Sequence, residues 1–341
     1  GQAHCMVPPT VNPAYDYEYF KTISKLDEEN ERTLKSTIDV YRKLGAILTF
    51  DCTPFFENNV PRFGEICSFS ASGGAVYVNS VLGARTNREA AQSAMCAAIT
   101  GVTPEYGLLL EQNRAGDVLI QVEADVDSEY DYELLGYITP KKMGQAYHCP
   151  VFNGLSKQTT SEQLMDLGTQ LNIHGIVPMF HVVGVTPEAA DVHTAFLGRK
   201  DPPVVTITNE DLAQARAEIS AGTGKADFCI LGCPHLTINQ VGSIAKMLDG
   251  QQLAGQLYIF TSTSTKELAL RMGYLDIIHK AGGEIVINSC VDQPCWSHLY
   301  GMSGVTESPK CAYYTKRWNM TFTVKSIPAC IQSVLKGEIV S

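Results

Sequence analysis

No stretch of this 341-residue sequence concentrates Lys and Arg, and the balance is 26 basic against 36 acidic residues, a formal charge of −10. Nucleic-acid binders and anionic-membrane binders both draw on clustered cations, so neither partner is expected. The richest apolar stretch, Ile176 to Val185, is broken by Pro178, His181 and Gly184. It falls far short of the roughly 20 residues needed to cross a bilayer. Gly1-Gln2-Ala3-His4-Cys5 has neither the basic region nor the apolar core of a signal peptide. No Cys-x-x-Cys pair points to a structural zinc site, and no Gly-Lys-Ser/Thr marks a phosphate loop. Internal repeats and low-complexity tracts are absent as well. With 45% hydrophobic and 18% charged residues, the composition is that of a globular chain.

What is present is an odd count of eleven cysteines in a chain too large to need disulfide staples. That usage points to a reducing compartment, the cytoplasm, with any special thiols bound to metal or reactive. Short β-branched runs alternate with helical patterns. The expected strands are Ala46–Phe50, Ala75–Val81, Val118–Glu123, Val177–Val183, Val204–Ile207, Asp227–Leu231, Gln256–Phe260 and Glu284–Asn288. The expected helices are Asn87–Thr100, Ser161–Leu171, Asn209–Ala221, Ile238–Leu248 and Lys266–Ala281, with Thr186-Pro187-Glu188 as a further helix start. Such alternation predicts layered α/β lobes with largely parallel sheets. The pattern breaks at Gly198–Pro203, which suggests an N-terminal lobe over 1–200 and a C-terminal lobe over 201–341.

Three cysteines share one context: Cys52, Cys233 and Cys290 each follow an expected strand. In parallel α/β sheets the carboxyl ends of strands face a common ligand crevice, so thiols far apart in sequence can meet there. Three thiolates suit an iron–sulfur centre that keeps one iron open as a Lewis acid. The competing reading is that they are small buried hydrophobes, the assignment given to Cys5, Cys67, Cys96, Cys149, Cys229, Cys295, Cys311 and Cys330. A second constellation runs from Asn59 to Glu65, through Ser70-Ala71-Ser72-Gly73-Gly74, to Asn79-Ser80-Val81-Leu82-Gly83-Ala84-Arg85-Thr86-Asn87-Arg88-Glu89. Small residues and hydroxyls ahead of a helix can receive an anion, and two arginines can grip a carboxylate; surface ion pairs would use the same residues. His181 reads as a hydrogen-bonded core histidine, whereas His235, beside Cys233, is better placed for a site.

At these residues the chain resembles the aconitase X family, specifically its large, catalytic subunit. The stretch Asn79 to Glu89 is the most specific. It is joined in family order by Val7–Pro13, Cys52-Thr53-Pro54, Thr103–Gly107, His181–Glu188 and Glu307-Ser308-Pro309-Lys310. The resemblance implies a dehydratase related to aconitase, with Cys52, Cys233 and Cys290 holding a 4Fe-4S or 2Fe-2S cluster or a mononuclear iron. Asn12, Pro13, Ser72, Gly73, Arg85 and Ser308 would then contact the substrate, with Ser72 or Ser308 as proton acceptor. A separate small swivelling-domain subunit is the implied partner and a small hydroxy acid the implied substrate. Cis-3-hydroxy-L-proline is the first expectation; 5-phosphomevalonate, or a degenerate non-catalytic homologue, is the alternative. The chain departs from the family at Ala71 and Glu307, where a carboxylate and an asparagine are usual. It also lacks a Gly-Val-Ser-like substrate loop that precedes the matched region in family members.

Overall fold

A computed structural model describes Ala3–Val340. It resolves into two compact units. One consists of Pro54–Glu218 with the residues up to Pro9; the other consists of Thr10–Thr53 with the residues from Ile219 onward.

The N-terminal unit is built on a parallel sheet of β1 (Val118–Val122), β2 (Pro150–Asn153), β3 (His181–Val182) and β4 (Val204–Ile207), in the order β3-β2-β1-β4. The pairing of Leu119 with Val204 and of Val122 with Ile207 places β4 in this sheet. The lobe boundary therefore falls at Glu218/Ile219, after the helix Asn209–Ile219 has begun to close, and not at Gly198–Pro203. The expected 1–200 lobe is corrected at its other end too. Residues 10–53 fold with the C-terminal unit, because Ala14 bridges Ser289 and Thr10 bridges Ile47.

Residues expected to form a strand over Ala75–Val81 instead lie in the helix Ser72–Ser80. This helix is buried on nearly all sides, so it carries no polar stripe from which a 3.6-residue period could be read. Small residues let it lie close to the helix Ser161–His174: a Cβ on Gly73 would stand 3.0 Å from Thr169 Oγ1, and one on Gly168 would stand 3.0 Å from Val76 Cγ1.

In the C-terminal unit, β5 (Phe228–Leu236), β6 (Gln256–Thr261), β7 (Gly283–Val286), β8 (Ser303–Thr306) and β9 (Thr321–Val324) form a second all-parallel sheet, ordered β7-β6-β5-β8-β9. Its core includes Cys229, Leu231, Ile244, Ile259, Ile278 and Ile331 on one side, and Phe20, Ile230, Phe260 and Trp296 on the other. The α/β class with largely parallel sheets is thus as expected.

Ala46–Phe50 does not become a strand. It makes a single bridge, and Phe50 adopts a left-handed backbone (φ 44°) that ends any ladder. Lys266–Ala281 is two helices, Thr263–Arg271 and Tyr274–Ala281, parted at Gly273 (φ 77°). Thr186-Pro187-Glu188 forms a turn, with Thr186 Oγ1 accepting from the Val182 amide, and the next helix starts at Val192. No helix among the described residues is long and apolar enough to cross a membrane.

Gly154 follows β2 with φ +109°, and a Cβ there would lie 2.4 Å from the Val122 carbonyl oxygen. Backbone strain and a clash with an immobile carbonyl add, so Gly154→Ala is expected to lower stability by about 2–4 kcal/mol in urea unfolding.

Candidate metal centre

Cys52, Cys233 and Cys290 all belong to the C-terminal unit, and one extended segment sets two of them in place. Val11 accepts the Asp51 amide at 3.1 Å, and its own amide bonds Thr49 Oγ1 at 3.0 Å. Three residues on, the Ala14 amide donates to Asn288 (3.0 Å), and the Ala14 carbonyl accepts the Cys290 amide (3.1 Å). Asn12 and Pro13 lie in the middle of this clamp, Asn12 exposed and Pro13 half-buried.

Cys233 is presented by an irregularity in β5. Leu231 pairs with Ile259 and Leu236 with Thr261, so five steps on one strand run against two on the other. The surplus carries Cys233, Pro234 and His235 out of the ladder. Gly232 (φ 109°) begins the excursion, and the Cys233–Pro234 peptide is cis. Glu307 Oε1 accepts the amides of Gly232 (2.7 Å) and Cys233 (3.2 Å), and the Ser308 hydroxyl hydrogen-bonds the Cys233 thiol.

Cys52 feels both of the other thiols, and Cys233 feels Cys290. Burial pushes Cys52 well above the ordinary thiol range, and the charges of Asp51, Cys233 and Cys290 push it further. Cys233 is raised to about 12 by burial, with Cys290 and Glu307 adding to the shift and Lys310 opposing it. Cys290 is raised by burial too, against the Asp292 amide and Lys310. A metal bound among them would deprotonate its thiol ligands and supply the charge that a buried thiolate needs.

Beside Cys52 lies a buried acid–base pair. Asp51 Oδ1 meets His235 Nδ1 at 2.9 Å, and His235 Nε2 meets the Ser289 carbonyl at 2.9 Å. Burial alone would raise the Asp51 carboxyl, but His235 and Thr53 outweigh it and hold it below its ordinary value. Asp51 Oδ2 is buried without a hydrogen-bond partner. Asp51, Cys52 and His235 offer ligand atoms within 4.8 Å of one another. Both imidazole nitrogens are already engaged, however, Nδ1 by Asp51 and Nε2 by the Ser289 carbonyl, so the ring as placed offers no free nitrogen to a metal. Three cysteine sulfurs are the soft donors that an iron centre takes, and Cys52, Cys233 and Cys290 would be the residues to hold one.

Ser308 is fully buried at the start of the helix Pro309–Tyr314, where its hydroxyl also accepts the Cys311 amide at 3.3 Å. Ser72, Gly73 and Arg85 lie in the N-terminal unit. Ser72 opens its helix and is half-buried, while Gly73 sits at the helix–helix contact already described. Arg85 pairs with Glu111 and donates to the Leu109 carbonyl (3.1 Å), and Arg88 donates to Asn172 (2.8 Å).

Arg114, not singled out from sequence, is buried and grips Glu188 through Nε at 2.8 and 3.1 Å. With Arg85, Glu111, His181 and Phe63 it lines a cavity of about 240 Å³ in that unit. Asp51 was also missed. The only available signal was its place next to Cys52, since its histidine partner lies 184 residues away.

The family models described as Aconitase X first, second and third domain match residues 1–112, 116–217 and 226–336. The phosphomevalonate dehydratase large subunit of Thermococcus kodakarensis is 34% identical over 309 residues, covering 90% of this chain and 78% of that protein. That of Methanothermobacter thermautotrophicus is 36% identical over 310 residues, covering 90% and 75%. The cis-3-hydroxy-L-proline dehydratase of Pseudomonas aeruginosa is 33% identical over 264 residues, covering 74% of this chain and 45% of that protein. The crystal structure of Thermococcus kodakaraensis aconitase X, holo-form, superposes with a TM-score of 0.85 at 32% identity, covering 98% of this chain and 82% of that one. Fold and relatives define a hydro-lyase, an enzyme that removes water across a carbon–carbon bond. The chain belongs to the aconitase X family.

His181, expected to be a core histidine, is buried with Nε2 on the Arg114 carbonyl at 2.8 Å. Burial pushes its imidazole below the ordinary value, so the folded protein keeps it neutral. The stability this contributes is present above the unfolded value near pH 6.5 and is lost as pH falls through the folded value. The stability advantage of wild type over His181→Gln, from chemical denaturation, should therefore shrink between pH 7.5 and 5.5.

Proposed function

We propose that this chain is the large subunit of a thiolate-iron hydro-lyase that dehydrates a phosphorylated hydroxy acid of the phosphomevalonate type. What supports the reading is that the three cysteine segments converge on His235: its amide donates to Cys52 Sγ at 3.3 Å, its Nε2 meets the carbonyl of Ser289, the residue before Cys290, at 2.9 Å, and it follows Cys233 by two residues. The substrate class rests on the relatives. Two phosphomevalonate dehydratase large subunits match at 34% and 36% identity over 78% and 75% of their own length, and three more match at 28–30% over 78–81%. The hydroxyproline dehydratases match at 33% and 29% over 45% and 51% of theirs. This reverses the order of substrates expected from the sequence alone.

When bound, iron supplies a Lewis acid for the departing hydroxyl. Cys52, Cys233 and Cys290 would hold it, in a 4Fe-4S or 2Fe-2S cluster or as a single ion. Asn12, Pro13, Gly73 and Arg85 contact the substrate, and Ser72 or Ser308 accepts the proton from the carbon adjacent to the C–O bond. Lys310, whose charge reaches both Cys233 and Cys290, lowers the cost of anionic species there. A separate small subunit completes the enzyme, in keeping with the name "large subunit" carried by the relatives. A reducing cytoplasm suits eleven cysteines that are all free.

The test is turnover by protein purified without oxygen, reconstituted with iron and its small subunit, and given 5-phosphomevalonate or cis-3-hydroxy-L-proline. Ultraviolet absorbance follows the new double bond. Phosphomevalonate should be dehydrated, and Cys233→Ala should lose both iron and turnover to background. Turnover of hydroxyproline alone would restore the first substrate expectation. An iron-loaded protein inert towards both would favour a non-catalytic homologue, the reading that Ala71 and Glu307 would then explain.

A further inference from the structure

We propose that His235 is the positioning residue that gathers the three cysteine segments into one ligand set; this rests on the thiolate-iron reading above. The segments are distant in sequence, and the imidazole and its backbone touch all of them. The His235 amide donates to Cys52 Sγ at 3.3 Å, and Nδ1 holds Asp51, the residue before Cys52, at 2.9 Å. Nε2 holds the carbonyl of Ser289, the residue before Cys290, at 2.9 Å. His235 itself follows Cys233 by two residues, on the excursion that leaves the β5–β6 ladder. One side chain thus ties the Cys52 loop and the Cys290 loop to the Cys233 loop.

Stability alone is a poor reason for this arrangement. A buried ion pair is commonly no better than well-packed apolar residues of the same volume, and here Asp51 Oδ2 is left without a partner. What the pair provides, and an apolar contact does not, is direction. An imidazole held at both ring nitrogens by fixed partners has one orientation, and it fixes the distances among the segments that carry sulfur. With both ring nitrogens engaged, His235 acts through Cys52, Cys233 and Cys290.

The experiment compares wild type, His235→Gln, Asp51→Asn and Cys233→Ala, purified without oxygen. Iron affinity is measured by chelator competition and sulfur-to-iron charge-transfer bands by visible spectroscopy. Circular dichroism and melting of the iron-free proteins serve as the control. Glutamine cannot span both partners, so His235→Gln should bind iron about 10- to 100-fold more weakly, with displaced charge-transfer bands, while the iron-free variant melts lower but keeps the wild-type circular dichroism spectrum. Asp51→Asn keeps an acceptor for Nδ1 but removes the charge, and should show a smaller loss of affinity. His235→Gln with wild-type affinity and spectrum would overturn the proposal. If that variant does not fold, wild-type behaviour of Asp51→Asn would overturn it instead. Wild type that takes up no iron, or Cys233→Ala that keeps it, would fail the thiolate-iron reading itself and take this proposal with it.

Discussion

A desolvated thiolate needs a positive charge nearby, and the C-terminal unit buries Cys52, Cys233 and Cys290 so that ionising any of them is costly. Burial is the largest cause of the shift at Cys52, Cys233 and Cys290 alike, and the charges of the neighbouring thiols add to it at Cys52 and Cys233. A fold that only needed small hydrophobes would gain nothing by grouping them beside Asp51 and Glu307. Much of the surrounding structure follows from keeping that group together: the clamp at residues 11–16, the excursion in β5, and the buried histidine with two acceptors.

The site sits where regular pairing fails. In an intact ladder β5 would point successive side chains to opposite faces, and Cys233 and His235 would be fixed on one of them. Leaving the ladder between Leu231 and Leu236 frees both to turn towards the loops at 51–53 and 288–290. The amides that lose their strand partners there do not go unpaired, since those of Gly232 and Cys233 are taken by Glu307 and that of His235 by Cys52. This is how a parallel sheet uses the carboxyl ends of its strands: irregular backbone is tolerated where side chains and loops satisfy it.

The sheet cores were legible because Val118–Glu123, Val204–Ile207, Asp227–Leu231 and Gln256–Phe260 are short β-branched runs bounded by turn or helix signals. Ser72–Ser80 was not, since a helix buried on every side has an apolar run in place of a stripe. The helices Glu28–Leu44 and Glu129–Met143 were passed over although each begins at a clear acidic cap, Asp27 or Ser128 with Asp131. For the cysteine trio, the strand-end premise differs at one member. Cys52 follows no strand, and is held by hydrogen bonds to residues forty positions earlier and by His235. Contacts of that sequence separation leave no periodic trace, which is also why Asp51 was invisible beside a cysteine already singled out.

Glu307 shows what a departure from the family pattern means once its surroundings are known. Where asparagine is usual, the chain has a carboxylate, and a free negative charge beside three thiols would oppose binding of an anionic substrate. The side chain is buried and its carboxyl is raised by burial, against the pull of the amides it accepts. Its Oε1 receives the Gly232 and Cys233 amides, a task that an asparagine carbonyl can also perform. The substitution therefore keeps the acceptor that closes the Cys233 excursion. Its second oxygen is turned towards the Thr306 hydroxyl, at 3.3 Å, and not left bare. Supporting the backbone of a ligand loop is a requirement on shape and on acceptor position, and glutamate meets both.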